Sequence, residues 1–420
     1  MIRESNEILK SKKGSSGLMY IISLWFFISI LPQMLLLTRD DFGNIQLKVA
    51  LIGVFMTIVL FYLLKKQFKF NVFMILIWSY FLITQIMSNF IINPYLSSSG
   101  TNIFINIILS SLYMFVFIVI FGNFSLSGKD IIKLCVFYLL IAVYSSIYNL
   151  IINFSILGDA LSTSNAYEYN LSSFFANRNT FAIFLSFSIA ACFIIKDTIM
   201  KKNKYKWLIN LALILLFINL ILTNSRTSIV SVIIYFLFRL YLINKNRLLS
   251  FIIKLTGIIF LIVVIIEISD MSDYIVDVII RPNSGVTHRD IVWKIGLDIF
   301  TKSNFIFGGG GTGPILYLNS LTGLRGFHNT YISLLAFGGL SLIIFNMYLI
   351  LSSVNKCIKI IKYNNKIGSN FIALIVMYLA SSVTENNILF YSSALNVAAT
   401  TFVILLPRYY YNYLKGEKEI

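Results

Sequence analysis

Runs of apolar residues long enough to cross a bilayer follow one another along almost the whole chain, separated by short polar connections. A helix needs roughly 20 such residues to traverse the hydrocarbon core. On that criterion the sequence places spans at 18–37, 47–64, 70–88, 103–121, 130–151, 174–195, 206–223, 227–243, 249–269, 327–354, 370–386 and 388–407. Lipid offers backbone groups no hydrogen-bond partner, so such a chain folds as helices. The expected architecture is therefore all-α: a polytopic membrane protein of about twelve transmembrane helices, forming one transmembrane domain over residues 1–420. Ser381, Glu385, Asn386 and Asn387 interrupt the last two spans.

Composition removes the soluble alternative. Only 12% of the 420 residues are charged and 58% are hydrophobic, too little polar surface to cover a water-soluble particle. The net charge of +17 would raise the question of nucleic acid in a soluble protein. Here the lysines stand in short runs between apolar segments: Lys10, Lys12 and Lys13; Lys65, Lys66 and Lys69; Lys201, Lys202, Lys204 and Lys206; Lys356, Lys359, Lys362 and Lys366. That is the pattern of cytoplasmic loops facing anionic membrane lipid, so nucleic acid is not an expected partner. Placing the N-terminus inside puts all four runs, residues 244–247 and the tail 408–418 on the cytoplasmic face, with both termini there. The N-terminal basic stretch leads into an apolar run with no small-residue cleavage site after it, which reads as a first span. Two long loops lie opposite, 152–173 and a large extracytoplasmic loop at 270–326.

Because lysine is concentrated inside, the external arginines stand out: Arg39, Arg178, Arg226, Arg281, Arg289 and Arg325. A guanidinium stays charged and fits phosphate bidentately. Arg178 lies in Phe175-Ala-Asn177-Arg178-Asn179-Thr180 and Arg226 in Thr223-Asn224-Ser225-Arg226-Thr227-Ser228. Each either snorkels to lipid headgroups or helps form an anion site. Both histidines, His288 and His328, fall on the same face. His328, in Arg325-Gly-Phe-His328-Asn329-Thr330-Tyr331, is either an interfacial histidine bonded to a carbonyl or a general base. His288 reads as an ordinary loop residue.

Within the large loop, Ile291, Ile295 and Ile299 recur at helical spacing, a stretch fit for the membrane interface. Gly308-Gly309-Gly310-Gly311-Thr312-Gly313 lacks the ending of a P-loop and reads as a flexible turn letting backbone approach a ligand. Asp270, Asp273 and Asp277 read as a solvated helix face. The three cysteines have no metal-ligand spacing, and neither a metal nor another cofactor is expected.

Taken in order, these motifs resemble the Wzy polysaccharide polymerase and O-antigen ligase superfamily. The resemblance is carried by Phe-Ala-Asn-Arg-Asn at 175–179, the Thr-Asn-Ser-Arg-Thr-Ser turn, Arg289 with Trp293, the glycine stretch, Phe-His-Asn-Thr-Tyr at 327–331 and the following Leu-Leu-Ala-Phe-Gly-Gly-Leu. It implies a GT-C-like glycosyltransferase bundle, inverting and metal-independent, in the cytoplasmic membrane with an extracytoplasmic active site. Donor and acceptor would be oligosaccharides on undecaprenyl diphosphate, with a flippase and a chain-length regulator as partners. Arg178, Arg226 and Arg289 would bind the diphosphate and His328 would be the base, supported by Asn177, Asn179, Asn329 and Arg325. The expected function is polymerisation of polysaccharide repeat units, as in capsule, exopolysaccharide or O-antigen. Transfer to another acceptor, as by a ligase, and transport of lipid-linked oligosaccharide are the competing expectations.

Overall fold

The computed structural model of the protein describes residues 16–34, 45–64, 71–91, 100–157, 171–175, 177–198, 206–243, 289–324, 326–391 and 393–418. Arg39, Arg281, His288, Arg325, the three loop aspartates and the predicted span 249–269 lie outside them. Every other predicted span coincides with helix for most of its length. Among the described residues five helices are long and apolar enough to cross a membrane: Val72–Phe90, Gly128–Ile152, Arg178–Thr198, Arg226–Ile243 and Thr330–Tyr363. Shorter apolar helices cover Gly17–Leu31, Ile52–Leu63, Ile107–Ile120 and Lys206–Leu222. Large apolar side chains are exposed along them, among them Phe61, Leu76, Leu140, Ile214 and Leu351. Apolar area of this extent needs a covering, and lipid supplies it. The described residues are all-helical with no strand, and helices of this character mark a multi-pass membrane protein.

The chain divides into two compact units. The first comprises Met1–Leu134, Arg289–Tyr363 and Ser382–Ile420. It contains α1 (Ser16–Met34), α2 (Ile45–Leu64), α3 (Val72–Ile86, continued by a π turn), α4 (Gly100–Met114, likewise continued) and the start of α5 (Gly128–Ile152). Trp25, Phe55, Tyr113 and Phe117, from α1, α2 and α4 with its π turn, make its aromatic core, with the tilted rings of Trp25 and Phe117 4.5 Å apart. Ser127 and Asp130 cap α5 reciprocally: the Asp130 carboxylate accepts from the Ser127 amide and hydroxyl, and Ser127 Oγ accepts from the Asp130 amide.

The second unit comprises Cys135–His288 and Asn364–Ser381. It holds the rest of α5 with α6 (Arg178–Thr198), α7 (Lys206–Leu222), α8 (Arg226–Ile243) and a later helix, Asn365–Ser381. An ion pair joins Arg239 of α8 to Asp197 of α6 at 2.6 Å. Asn370 completes the knot by donating to Asp197 and accepting from Arg239 Nε and the Tyr235 hydroxyl. Both charged side chains are nearly buried, so deleting either alone would cost about 3–5 kcal/mol. Arg226 stands thirteen residues before Arg239, about 20 Å away along the helix.

The predicted large loop contains two helices where described. Within the first unit α9 (Arg289–Lys302) and α10 (Thr312–Thr322) precede α11 (Thr330–Tyr363), and α13 (Ala394–Thr400) and α14 (Leu406–Lys418) follow α12 (Asn365–Ser381) of the second. The face of α9 turned inward is Val292, Gly296 and Ile299, whereas Ile291 is exposed. The helical period expected from the isoleucines is present, but of Ile291, Ile295 and Ile299 only Ile299 is fully buried. A Cβ at Gly296 would meet Ile332 at 2.4 Å, so this glycine lets α9 lie directly on α11.

The glycine stretch packs on the backbone of α11. At Gly339 the helix α11 breaks, with φ 58° and ψ −153°. A continuous helix would bond the amides of Leu340 and Ser341 to the carbonyls of Ala336 and Phe337. Instead Gly309 and Gly310 donate to those two carbonyls at 2.8 and 2.9 Å, and Leu340 and Ser341 donate to Phe305 and Ile306 at 3.1 and 2.9 Å. All four groups freed by the break are thus satisfied by residues 305–310, as backbone at membrane depth requires. Gly308 and Gly339, both at positive φ, touch at the centre of this splice.

Candidate functional site

His328 and Asn329 lie immediately before α11. Asn329 Oδ1 accepts from the amides of Tyr331 and Ile332 at 2.9 and 3.1 Å, making it the helix cap. Thr330 then ties this end to the non-helical segment that follows α12. Its amide donates to the Ser382 carbonyl, its hydroxyl donates to the Glu385 carbonyl at 2.7 Å, and its Oγ accepts from the Asn387 amide. These bonds bring Glu385 to His328. The Glu385 carboxylate lies 3.9 Å from His328 Nδ1 through one oxygen and accepts from Arg289 Nη2 at 3.2 Å through the other. The carboxylate is 9% exposed and the imidazole 36%. A buried acid thus stands between a half-exposed imidazole and the first residue of α9. That arrangement can orient the ring and hold a guanidinium beside it.

Sequence reasoning brought His328 and Arg289 forward and passed over Glu385, treating it as an interruption of a span. The signal was present: an acid inside an apolar segment is rare and marks function by default. Trp293, four residues after Arg289, is largely buried with its indole nitrogen lacking a hydrogen-bond partner.

In the second unit Arg178 and Arg226 are the first residues of α6 and α8. Asn177 caps α6, its Oδ1 accepting from the Thr180 amide at 2.9 Å and the Thr180 hydroxyl. The segment before it is held by a buried polar knot. Asn149 Oδ1 accepts from the Ser173 amide, Asn149 Nδ2 donates to Asn219, and the Ser173 hydroxyl donates to the Ser145 carbonyl. Replacing Asn177 with alanine is expected to lower stability by about 1 kcal/mol, read as thermal unfolding of the purified protein. Asn179 follows Arg178 in the first turn of α6 and is half-buried.

Two regularities connect the candidate residues without reference to how the units sit. Arg178 and Arg226 each begin a helix, where the macrodipole is already positive. A cation there is disfavoured by about 0.3–1 kcal/mol, and the summed potential attracts an anion. Furthermore, among the described residues four non-glycine residues have positive φ: Ser173, Asn224, His328 and Phe390. Each is His328 itself or within five residues of Arg178, Arg226 or Glu385. Left-handed backbone at such residues costs about 1–2 kcal/mol and collects at functional sites.

An all-helical, multi-pass membrane protein with an acid–histidine–arginine cluster at the mouth of a broken helix is thereby defined. Residues 211–347 match the O-antigen ligase family, which bears out the resemblance to the Wzy and O-antigen ligase superfamily. The matched third of the chain includes Arg226, Arg289, His328 and the splice at Gly308 and Gly339, and leaves out Arg178 and Glu385. The family goes with lipid-linked polysaccharide substrates and with glycosyltransferase or ligase activity in a membrane. No curated protein matches the chain.

Proposed function

We propose that the protein is an inverting, metal-independent glycosyltransferase of the GT-C type. It polymerises polysaccharide repeat units carried on undecaprenyl diphosphate, at the extracytoplasmic face of the cytoplasmic membrane. The Glu385–His328–Arg289 cluster carries this reading. Lipid diphosphate is a good leaving group, so the protein must hold it and activate the acceptor. His328 accepts the proton of the acceptor hydroxyl as that oxygen attacks the anomeric carbon. The bond from that carbon to the diphosphate breaks, and its electron pair leaves with the diphosphate. Arginine charge stabilises the departing anion in a site poor in water. Arg289 is assigned this role beside His328. Arg178 and Arg226 are assigned it on their helix-first positions within their own unit and on the resemblance. Asn177 and Asn329 support the reading as caps that fix where Arg178 and His328 sit.

Glu385 positions the other two groups. Changing it to glutamine keeps its shape and removes its charge, and the rate of glycan transfer should fall by about one to two orders of magnitude with insertion unchanged. Initial rates in reconstituted membranes check this.

The family description, O-antigen ligase, favours a second reading in which the acceptor is not another repeat unit. Reconstitution with lipid-linked repeat units as the sole substrate separates them. A ladder of longer lipid-linked glycans supports the polymerase. A product formed only when a lipid-core acceptor is added supports the ligase. Movement of the substrate across the bilayer without any new linkage would overturn both.

A further inference from the structure

We propose that a second anion site lies in the first unit, at the end of α11 remote from His328, and that it holds the phosphate of an anionic phospholipid. The site is an open cleft lined by Lys356, Arg408 and Ser352, with Ile77, Ile118 and Ile404 among its apolar walls. Arg408 is only 8% exposed. Its Nε donates to the Gly122 carbonyl at 3.1 Å, and Nη2 lies 3.2 Å from Met74 Sδ. Those contacts account for two of five donors. Lys356 donates to the Ser352 hydroxyl and carbonyl. Among the described residues no carboxylate lies within ion-pair reach of either cation. Two like charges therefore line one cleft, one of them buried, without a counter-ion. A buried charge in that condition is strongly unfavourable, and a bound anion relieves it.

Position selects the kind of anion. Beyond its break at Gly339, α11 runs on to Tyr363, roughly 36 Å at 1.5 Å per residue, against about 30 Å of hydrocarbon. Lys356 and Arg408 each follow closely on the end of a predicted span, at headgroup depth, and Lys359 and Lys362 stand beyond them. A phosphate flanked by apolar walls that suit acyl chains matches a lipid better than a free ion. The reading is independent of the enzymatic activity proposed above.

The test uses the full-length protein, delipidated in a neutral detergent, with thermal unfolding followed during titration. Three probes are compared: phosphatidylglycerol, phosphatidylcholine and inorganic phosphate. Saturable stabilisation by phosphatidylglycerol, absent with phosphatidylcholine and weakened about tenfold in apparent affinity by Lys356→Gln, supports the proposal. Arg408→Gln should abolish it. Because Arg408 also holds Gly122, its variant is open to misfolding, and Lys356→Gln then decides alone. Equal response of wild type and Lys356→Gln overturns the site. Equal stabilisation by inorganic phosphate at the same concentration overturns the lipid as its occupant.

Discussion

Replacing His328 with alanine should reduce glycan transfer by about two to four orders of magnitude, the usual contribution of a positioned general base. The alanine variant should insert and unfold like the wild type, because the imidazole is partly exposed and its neighbour Asn329, not His328, caps α11. The left-handed backbone at position 328 adds a small opposing effect, since φ is 48° there. His328→Asn tolerates that conformation and provides the matched control. The measurement is the length distribution and initial rate of lipid-linked product in reconstituted membranes. Loss of the ladder in both variants, with unchanged thermal unfolding, is the expected result. A ladder that persists in His328→Ala removes the proposed base while leaving the enzyme.

The second large effect concerns stability. Alanine at Gly339 would place its Cβ 2.6 Å from the Ile306 carbonyl oxygen, and alanine at Gly308 would place it 2.6 Å from the Gly339 nitrogen. Both obstacles are backbone and cannot swing aside. Overpacking and left-handed strain together should cost about 2–5 kcal/mol at either position. Folded yield from membranes should drop sharply, and the remaining protein should melt earlier. Gly323→Ala is the comparison: φ is 72° there, but nothing lies within 4 Å of the added carbon. It should cost only the strain, about 1–2 kcal/mol. Equal losses at all three positions would show that strain alone, and not the splice, is being measured.

The helices were legible because length and apolarity decide them. Most predicted spans lie on helix, and the polar interruption at 385–387 falls where α12 has ended. Arg289 and His328 were legible as chemistry because arginine and histidine are scarce among the segments predicted to be external. Their meeting through Glu385 was not, since it depends on Thr330 tying together chain segments 55 residues apart. Hydropathy carries no information about such pairing. Asn177 and Asn329 were read as supporting residues, and the geometry gives each a definite local job as a helix cap. The glycine stretch was legible as a place of close approach. Glycine signals close approach without saying what approaches, and here the partner is the broken turn of α11.

The splice at Gly339 bears on how the protein is made. With the helix broken at Gly339 and residues 305–310 removed, the carbonyls of Ala336 and Phe337 and the amides of Leu340 and Ser341 would have no partners. Residues 305–310 are synthesised earlier and must fold back to meet them. Insertion of this helix is therefore not an independent event decided by its own hydropathy. The break is satisfied only where residues 305–310 are docked on it.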